Sequence, residues 1–177
     1  MTQSIETFDS AITEEVKNHL FEVPKKPLSG MDLISLNIQR ARDHGIASYN
    51  KYRELCNLTR ARTFDDLSEE ISKKTIGKLK KVYEHVDDID LFTGGVSETS
   101  LHGALVGPTF GCLLGLTFRS LRKCDRFWYE TSNPFTRFTK DQLAEIRKIK
   151  LSKVICSNSD SIHLIQKEAM DLPDPFL

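Results

Sequence analysis

Residues 33–52 read LISLNIQRARDHGIASYNKY, and this stretch places an asparagine, two arginines, an aspartate and a histidine inside an otherwise ordinary amphipathic helix. Asp32, just before it, has the short acceptor side chain that suits a helix N-cap. Gly45 suits the position just after a helix, where the backbone commonly turns left-handed. The pattern therefore predicts a helix that begins at Asp32 and ends before Gly45.

Two faces of this predicted helix differ in character. One face carries side chains that recur at steps of four, three and four residues: Leu33, Asn37, Arg40 and His44. The neighbouring apolar stripe carries Ile34, Ile38 and Ala41. Because an unsatisfied buried polar group costs about 1–3 kcal/mol, a polar or anionic group should face Asn37 and Arg40. We expect these two side chains to line a concave surface, and Ile34 and Ile38 to face the helical core.

The rest of the chain also has helical patterns, and the predicted fold class is mostly α. Residues 1–30 are a lead-in helix followed by a turn-rich connection, and no strand shows convincing alternation. Further helices are predicted over residues 13–21, from Thr63, over residues 74–86, from near Pro108 and from Thr139. The apolar run at 104–118 is shorter than the roughly 20 residues of a membrane span and is interrupted by glycine and proline, so it indicates a buried helix.

The composition excludes several classes of partner. The 177 residues include 25 basic and 25 acidic side chains, and the two signs are interspersed along the chain. No concentration of positive charge therefore indicates binding to nucleic acid or to an anionic membrane. The first residues lack the basic and apolar regions of a secretory signal peptide.

Several blocks in the same order resemble one family. Besides residues 33–52, they are CNLT at 56–59, TFDDL at 63–67, IDLFTGGVSE at 89–98, VGPTF at 106–110 and DRFWYE at 125–130. This series is similar to the C-terminal third of the animal haem peroxidases, the group that includes myeloperoxidase, peroxidasin and the chorion peroxidases. The resemblance implies that residues 1–177 are the helical C-terminal part of a haem peroxidase domain.

The resemblance implies a haem-dependent enzyme that reduces hydrogen peroxide and oxidises a halide or a phenolic donor. In that family the distal histidine and arginine, the histidine that binds iron and the calcium loop precede the matching segment. None of the five histidines here has a matching context. We therefore expect this segment to contribute the proximal-side wall of the haem pocket and to need the N-terminal part of the domain as its partner. By itself it should show no peroxidase turnover and contain no calcium site. The alternative is a non-catalytic helical binding module or an inactive gene fragment.

The resemblance implies roles for two residues of the predicted helix that begins at Asp32. Asn37 matches the asparagine that hydrogen-bonds the proximal histidine, and Arg40 matches the arginine beside a haem propionate. An acceptor on the far nitrogen orients an iron-binding imidazole and makes it more basic, and a guanidinium pairs well with a carboxylate. Without the resemblance, both side chains would more simply tie the helix to its neighbours. His44 has no role as an iron ligand in this comparison.

Cysteines and a sequon bear on the cellular compartment. The four cysteines lack zinc-site spacing and allow three pairings, or they could all be reduced. The resemblance implies a Cys56–Cys112 disulfide, which requires Cα atoms roughly 4.4–6.8 Å apart, and an extracellular protein. Pairing of Cys124 with Cys156 stays open. Asn57 begins an Asn-Leu-Thr sequon for N-glycosylation.

Overall fold

The structure is a computed structural model that describes residues 9–162 and 164–171. His163, to which we assigned no role, lies outside this range. In the described residues the α-helices are α1 (Glu14–Lys17), α2 (Leu33–Asp43), α3 (Tyr49–Leu55), α4 (Lys73–Val82), α5 (Leu91–Ser97), α6 (Pro108–Cys124), α7 (Lys140–Lys148) and α8 (Leu151–Asn158). Short 3-10 helices cover Phe64–Leu67 and Val86–Asp88. Strand-like pairing among the described residues consists of the isolated bridges Leu20–Met31 and Ile71–Glu98. The prediction of a mostly α fold is confirmed.

The chain divides into two compact units, one of residues 9–117 and one that begins at Phe118. In the first unit, α3 packs against α5 and against the second 3-10 helix, and α4 packs against the first 3-10 helix. Between these elements lies a core of buried side chains: Tyr49, Ala61, Leu67, Ile71, Ile76, Leu79, Val86 and Ile89. Helix α1 packs against α2 at the N-terminal end of this unit.

Helix α2 begins and ends where its sequence predicts. The Asp32 carboxylate accepts hydrogen bonds from two backbone amides of the first turn, at 2.9 and 3.3 Å. Gly45 has a φ of +67°, which side chains with a Cβ rarely adopt. The amides of Gly45 and Ile46 donate to carbonyls of the last turn at 3.0 and 2.9 Å, so the helix ends in a Schellman motif.

Two other predicted helices are shorter than expected. Helix α1 ends at Lys17, and Phe21, where the prediction ended, has a left-handed φ of +55°. Helix α4 ends at Val82 instead of continuing to residue 86. Tyr83 leaves the helix in an extended conformation, and its hydroxyl donates to Asp90 at 2.8 Å. This tertiary hydrogen bond overrides the helical pattern.

The prediction that the apolar run at 104–118 is a buried helix is wrong. Helix α6 does begin at Pro108, but Thr109 is its buried residue, and Leu114 and Leu116 are 47% and 45% exposed. Phe110 packs over Gly95, where an added Cβ would lie 2.3 Å from the phenylalanine ring. Only the first turns of α6 therefore contact the core. In the described parts of the chain, no helix is both long enough and apolar enough to cross a membrane.

A disulfide joins the end of α3 to α6. Cys56 and Cys112 are bonded, with Cα atoms 6.0 Å apart and a sequence separation of 56. This pairing confirms the one that the resemblance implied. Cys124 and Cys156 are both free thiols, so the second pairing is not formed.

The second unit contains α7, α8 and an aromatic corner between α6 and α7. Trp128 and Tyr129 stack at a tilt, with ring centroids 5.0 Å apart. Glu130 accepts hydrogen bonds from Arg122 at 2.9 Å and from Arg147 at 2.6 Å. These ion pairs connect the end of α6 to α7 through one carboxylate.

Candidate functional site

The two residues expected to contact a cofactor lie on the exposed face of α2. Asn37 and Arg40 are both exposed, whereas Ile34 and Ile38 are half-buried. Neither the Asn37 amide nor the Arg40 guanidinium hydrogen-bonds or ion-pairs with another side chain in the described range. Both polar groups are thus available to a partner outside that range.

A cavity of about 510 Å³ lies at the C-terminal end of α2. Its lining includes Arg42, Ile46, Tyr83 and Asp90, together with other residues from 41 to 91, but neither Asn37 nor Arg40. The concave surface expected at those two residues is therefore not this cavity. In the structure they lie on an open helix face.

His44 acts on its own helix. Its Nδ1 lies 2.9 Å from the carbonyl oxygen of Arg40, and because a carbonyl can only accept, Nδ1 carries the donated hydrogen. The imidazole therefore contributes to the end of α2.

A bidentate ion pair fixes α2 to the start of α5. Arg42 donates from Nε and Nη2 to the two carboxylate oxygens of Asp90, at 2.9 and 2.7 Å. The Asp90 side chain is only 10% exposed and also accepts the Tyr83 hydroxyl. The hydrogen bond from Arg42 lowers the pKa of Asp90 below its ordinary value. Two parallel hydrogen bonds between a guanidinium and a carboxylate fix the relative orientation of the two groups as well as their distance. The pair therefore helps to orient the face of α2 that carries Asn37 and Arg40.

The ion pairs of Asp87 and Asp90 predict a loss of stability in acid. The pKa of Asp90 is lowered by Arg42, and that of Asp87 is lowered by Arg60 and Asn50, both from an ordinary value of 3.8. A depressed pKa stabilises the fold at pH above the unfolded value, and that stabilisation is lost as the pH falls through the lower folded value. Urea unfolding should therefore give a constant free energy above about pH 5 and a falling one below about pH 4.

The matched control for this prediction is the pair of substitutions Asp87→Asn and Asp90→Asn. Each should weaken the pH dependence below pH 4 because one of the titrating groups is gone. If the unfolding free energy of both variants falls as steeply below pH 4 as that of the parent chain, other carboxylates cause the acid effect.

The largest fully buried side chain in the first unit is an arginine. Arg53, on α3, is 2% exposed, and its Nη1 lies 3.0 Å from one carboxylate oxygen of Glu70 while Nη2 donates to the other at 3.1 Å. Its Nε and Nη2 also donate to the carbonyl oxygen of Thr59, at 3.2 and 3.1 Å. The guanidinium thereby connects α3 to the segment before the first 3-10 helix and to the loop before α4.

A second carboxylate completes this buried network. The Glu98 side chain accepts the Tyr49 hydroxyl at 2.7 Å, and it accepts the hydroxyl and backbone amide of Thr109 at 2.6 and 2.9 Å. Arg53 Nη1 lies 3.2 Å from the Tyr49 oxygen and 4.0 Å from Glu98. Burial, with the hydrogen bond to Glu98, raises the pKa of Tyr49 well above its ordinary value of 10, so the hydroxyl remains a donor.

The sequence did not predict this structural support. The buried network consists of Tyr49, Arg53, Glu70, Glu98 and Thr109. Tyr49 and Arg53 are four residues apart, and that spacing alone placed them on one helix face. Their acidic partners, however, lie 17 residues after Arg53 and 49 residues after Tyr49. Sequence periodicity carries no information at such separations.

The neighbouring Asn50 secures the same helix from its other side. Its amide nitrogen donates to the carbonyl of Ala61 at 2.8 Å and to Asp87 at 2.5 Å, and its amide oxygen accepts from the Ala61 backbone at 3.0 Å. Helix α5 approaches closely because Gly94 has no side chain: an added Cβ there would lie 2.2 Å from the Tyr49 ring. Together these contacts fix α3 in the core and bring α5 against it.

Several known proteins are similar to this chain in sequence or in fold. A family model described as animal haem peroxidase matches residues 1–170. The chain is 41% identical over 169 residues to the peroxidasin homolog pxn-2 of Caenorhabditis elegans, covering 95% of this chain and 12% of that protein. It is 42% identical over 168 residues to a peroxidase of Drosophila melanogaster, covering 95% of this chain and 24% of that protein.

A vertebrate relative and a solved structure agree with this. The chain is 40% identical over 157 residues to the thyroid peroxidase of Sus scrofa, covering 88% of this chain and 16% of that protein. Peroxidase A from Dictyostelium discoideum superimposes with a TM-score of 0.71 and 34% identity, over 88% of this chain and 29% of that structure. The chain thus spans at most about a quarter of the length of the curated relatives named here. It belongs to the animal haem peroxidase family.

Proposed function

We propose that this chain forms the proximal-side wall of the haem pocket in a peroxidase that reduces hydrogen peroxide and oxidises a halide or a phenolic donor. Family membership supports the peroxidase-type function. The observation that carries the assignment of the wall is the exposed pair Asn37 and Arg40 on α2, neither of which has a side-chain partner among the described residues.

The chemistry of this pair fits haem. The Arg40 guanidinium supplies a fixed positive charge with parallel N–H donors, which matches a propionate carboxylate. The Asn37 amide oxygen supplies an acceptor for the N–H of a histidine that binds iron, and such an acceptor orients the imidazole and strengthens it as a ligand. The haem iron supplies the electron-transfer chemistry when it is bound. Ile34 and Ile38, on the neighbouring stripe of the same helix, are half-buried.

The rest of the first unit keeps this helix face in place. Arg42 and Asp90 fasten α2 to α5 through two short hydrogen bonds, and the buried network fastens α5 and α6 to α3. A pocket wall must keep its polar groups in position when the cofactor binds. We infer that the buried arginine and glutamates serve the site through this rigidity. The Cys56–Cys112 disulfide supports an extracellular or otherwise oxidising location for the protein.

Removal of the Arg40 guanidinium should weaken haem binding. In a full-length peroxidase that contains this chain, Arg40→Ala is expected to raise the dissociation constant for haem by about tenfold or more, since a charge-assisted hydrogen bond contributes about 1.5–3 kcal/mol. The measurement is haem transfer to apomyoglobin, followed in the Soret band. Arg40→Lys should restore part of the haem affinity, because lysine keeps the positive charge but lacks the paired N–H donors of the guanidinium.

The control is Gln39→Ala on the opposite face of α2. Among the described residues, the Gln39 side chain hydrogen-bonds to Asp43 on its own helix, at 2.8 Å, so its removal should leave haem transfer unchanged. Equal haem loss from the Arg40 and Gln39 variants would contradict the assignment and favour a helical module without a cofactor.

The 177-residue chain alone is expected to oxidise guaiacol no faster than free haemin, because the acid–base and iron-binding groups are expected in the upstream part of the domain.

A further inference from the structure

The segment that follows α3 has an unusual backbone. Asn57 has a φ of +59°, and the amides of Asn57 and Leu58 donate to the carbonyls of Glu54 and Arg53 at 3.1 and 2.9 Å. This is a second Schellman motif, with Asn57 at the left-handed position. Asparagine tolerates that conformation better than most residues, which explains Asn57 by itself.

The helix end does not explain Thr59. The Thr59 carbonyl accepts two hydrogen bonds from Arg53, but any residue supplies a carbonyl. Its side chain is exposed, and its hydroxyl forms no hydrogen bond within the described part of the chain. The Asn57 side chain is likewise exposed and without such a bond. Asn57, Leu58 and Thr59 also form the one Asn-x-Ser/Thr sequon in the full sequence.

We propose that Asn57 carries an N-linked glycan, and that the glycan is added before the Cys56–Cys112 disulfide closes. In the transfer, the Asn57 Nδ2 forms a bond to C1 of the first sugar of a polyprenyl-diphosphate-linked oligosaccharide. The bond from C1 to the diphosphate oxygen breaks, the polyprenyl diphosphate leaves with the electron pair, and one amide proton passes to a base of the transferase. This inference goes beyond the haem-pocket wall and does not depend on it.

The finished fold has room for the sugar. The Asn57 side chain is exposed, so a glycan there displaces no buried contact. The anchoring contacts of this segment, from Arg53 to the Thr59 carbonyl, lie on its inner side. A bulky, hydrated group on the outer side is therefore compatible with the buried network.

The order of events follows from how firmly the folded sequon is held. A transferase must reach the Asn57 amide and the Thr59 hydroxyl together. In the folded chain the backbone between them is fixed by the two amide hydrogen bonds of the helix end and by the two donors from Arg53. The adjacent Cys56 is tied to Cys112. Local opening of all these contacts is required before the sequon can be drawn away from the surface, so the unfolded, reduced chain is the better acceptor.

The first test reads the modification by mass. The full chain, fused to a cleavable secretory signal, is expressed in eukaryotic cells and analysed before and after digestion with peptide-N-glycosidase. We expect one glycan on the parent chain, released with conversion of Asn57 to aspartate. Thr59→Ser keeps the sequon and should keep the glycan, whereas Thr59→Ala should abolish it. An unglycosylated parent chain, or a glycan that persists in Thr59→Ala, overturns the proposal, and neither result bears on haem.

The second test addresses the order. The oxidised, folded chain and the reduced, unfolded chain, both made without sugar, are offered to solubilised oligosaccharyltransferase from microsomes. The oxidised chain should react about tenfold or more slowly, because only its locally opened fraction is an acceptor. The Cys112→Ser variant should react faster than the oxidised parent chain but more slowly than the unfolded chain, because it loses the disulfide and keeps the hydrogen bonds of the segment. Equal rates for the oxidised and reduced parent chains overturn the proposed order.

Discussion

Arg53→Met is expected to lower the free energy of unfolding by about 3–5 kcal/mol, the usual cost of removing one partner from a buried ion pair. The Arg53 side chain is 2% exposed and the Glu98 side chain is fully buried, so the substitution leaves Glu98 and Glu70 without their positive partner. Because small domains have only about 5–15 kcal/mol of stability, this loss should bring the chain close to unfolding at room temperature. Urea or thermal unfolding followed by circular dichroism measures it.

Two further variants make this prediction specific. Arg60→Met removes an arginine from the exposed ion pair with Asp87, and it should leave the unfolding transition close to that of the parent because such pairs contribute little. The triple variant Arg53→Met, Glu70→Gln, Glu98→Gln should recover part of the lost stability, since no uncompensated charge remains. Equal effects of the Arg53 and Arg60 variants would show that the buried network does not stabilise the fold.

Cys112→Ser is expected to cost about 4 kcal/mol in the loop-entropy model, because the Cys56–Cys112 bond closes a long loop between cysteines with a sequence separation of 56. The oxidised parent chain should therefore unfold at a higher urea concentration than the variant. Reduction of the parent chain should lower its midpoint to about that of the variant. The exposed free thiol of Cys124 provides the control: Cys124→Ser should leave the midpoint unchanged. A reduced parent as stable as the oxidised one would contradict the structural role of the bond.

Local rules predicted much of the first unit because they act over a few residues. The Asp32 N-cap and the left-handed Gly45 fix both ends of α2, and each depends only on side-chain chemistry next to the helix. The capping box at Thr139 likewise begins α7 as expected. The Cys56–Cys112 pairing was implied by the family resemblance, since the spacing of four cysteines leaves three pairings open.

Contacts between distant residues explain what the sequence did not predict. The end of α4 at Val82 depends on the hydrogen bond from Tyr83 to Asp90, and the buried position of Arg53 depends on Glu70 and on the carbonyl of Thr59. A periodic apolar pattern indicates which face of a helix can be buried, but the packing of other elements decides whether it is. For that reason Leu114 and its neighbours on α6 are exposed despite their apolar character.

Of the candidate site, the sequence indicated the type of residue and the helix face, and the structure adds the support beneath them. Asn37 and Arg40 lie on the same exposed face of α2. The ion pair between Arg42 and Asp90 that orients this helix was not predicted, because its acid follows 48 residues later. The cofactor role of Asn37 and Arg40 stays a prediction that requires the complete domain.

The most direct test of the haem-facing role of α2 is the reduction potential of the iron in a full-length peroxidase carrying Asn37→Asp. A carboxylate in place of the amide is a stronger acceptor for the proximal imidazole and makes it more anionic, which favours the ferric state. The account predicts a potential clearly more negative than that of the parent enzyme, with haem still bound and with Gln39→Ala unchanged. A potential identical to the parent value in the Asn37→Asp enzyme would contradict it.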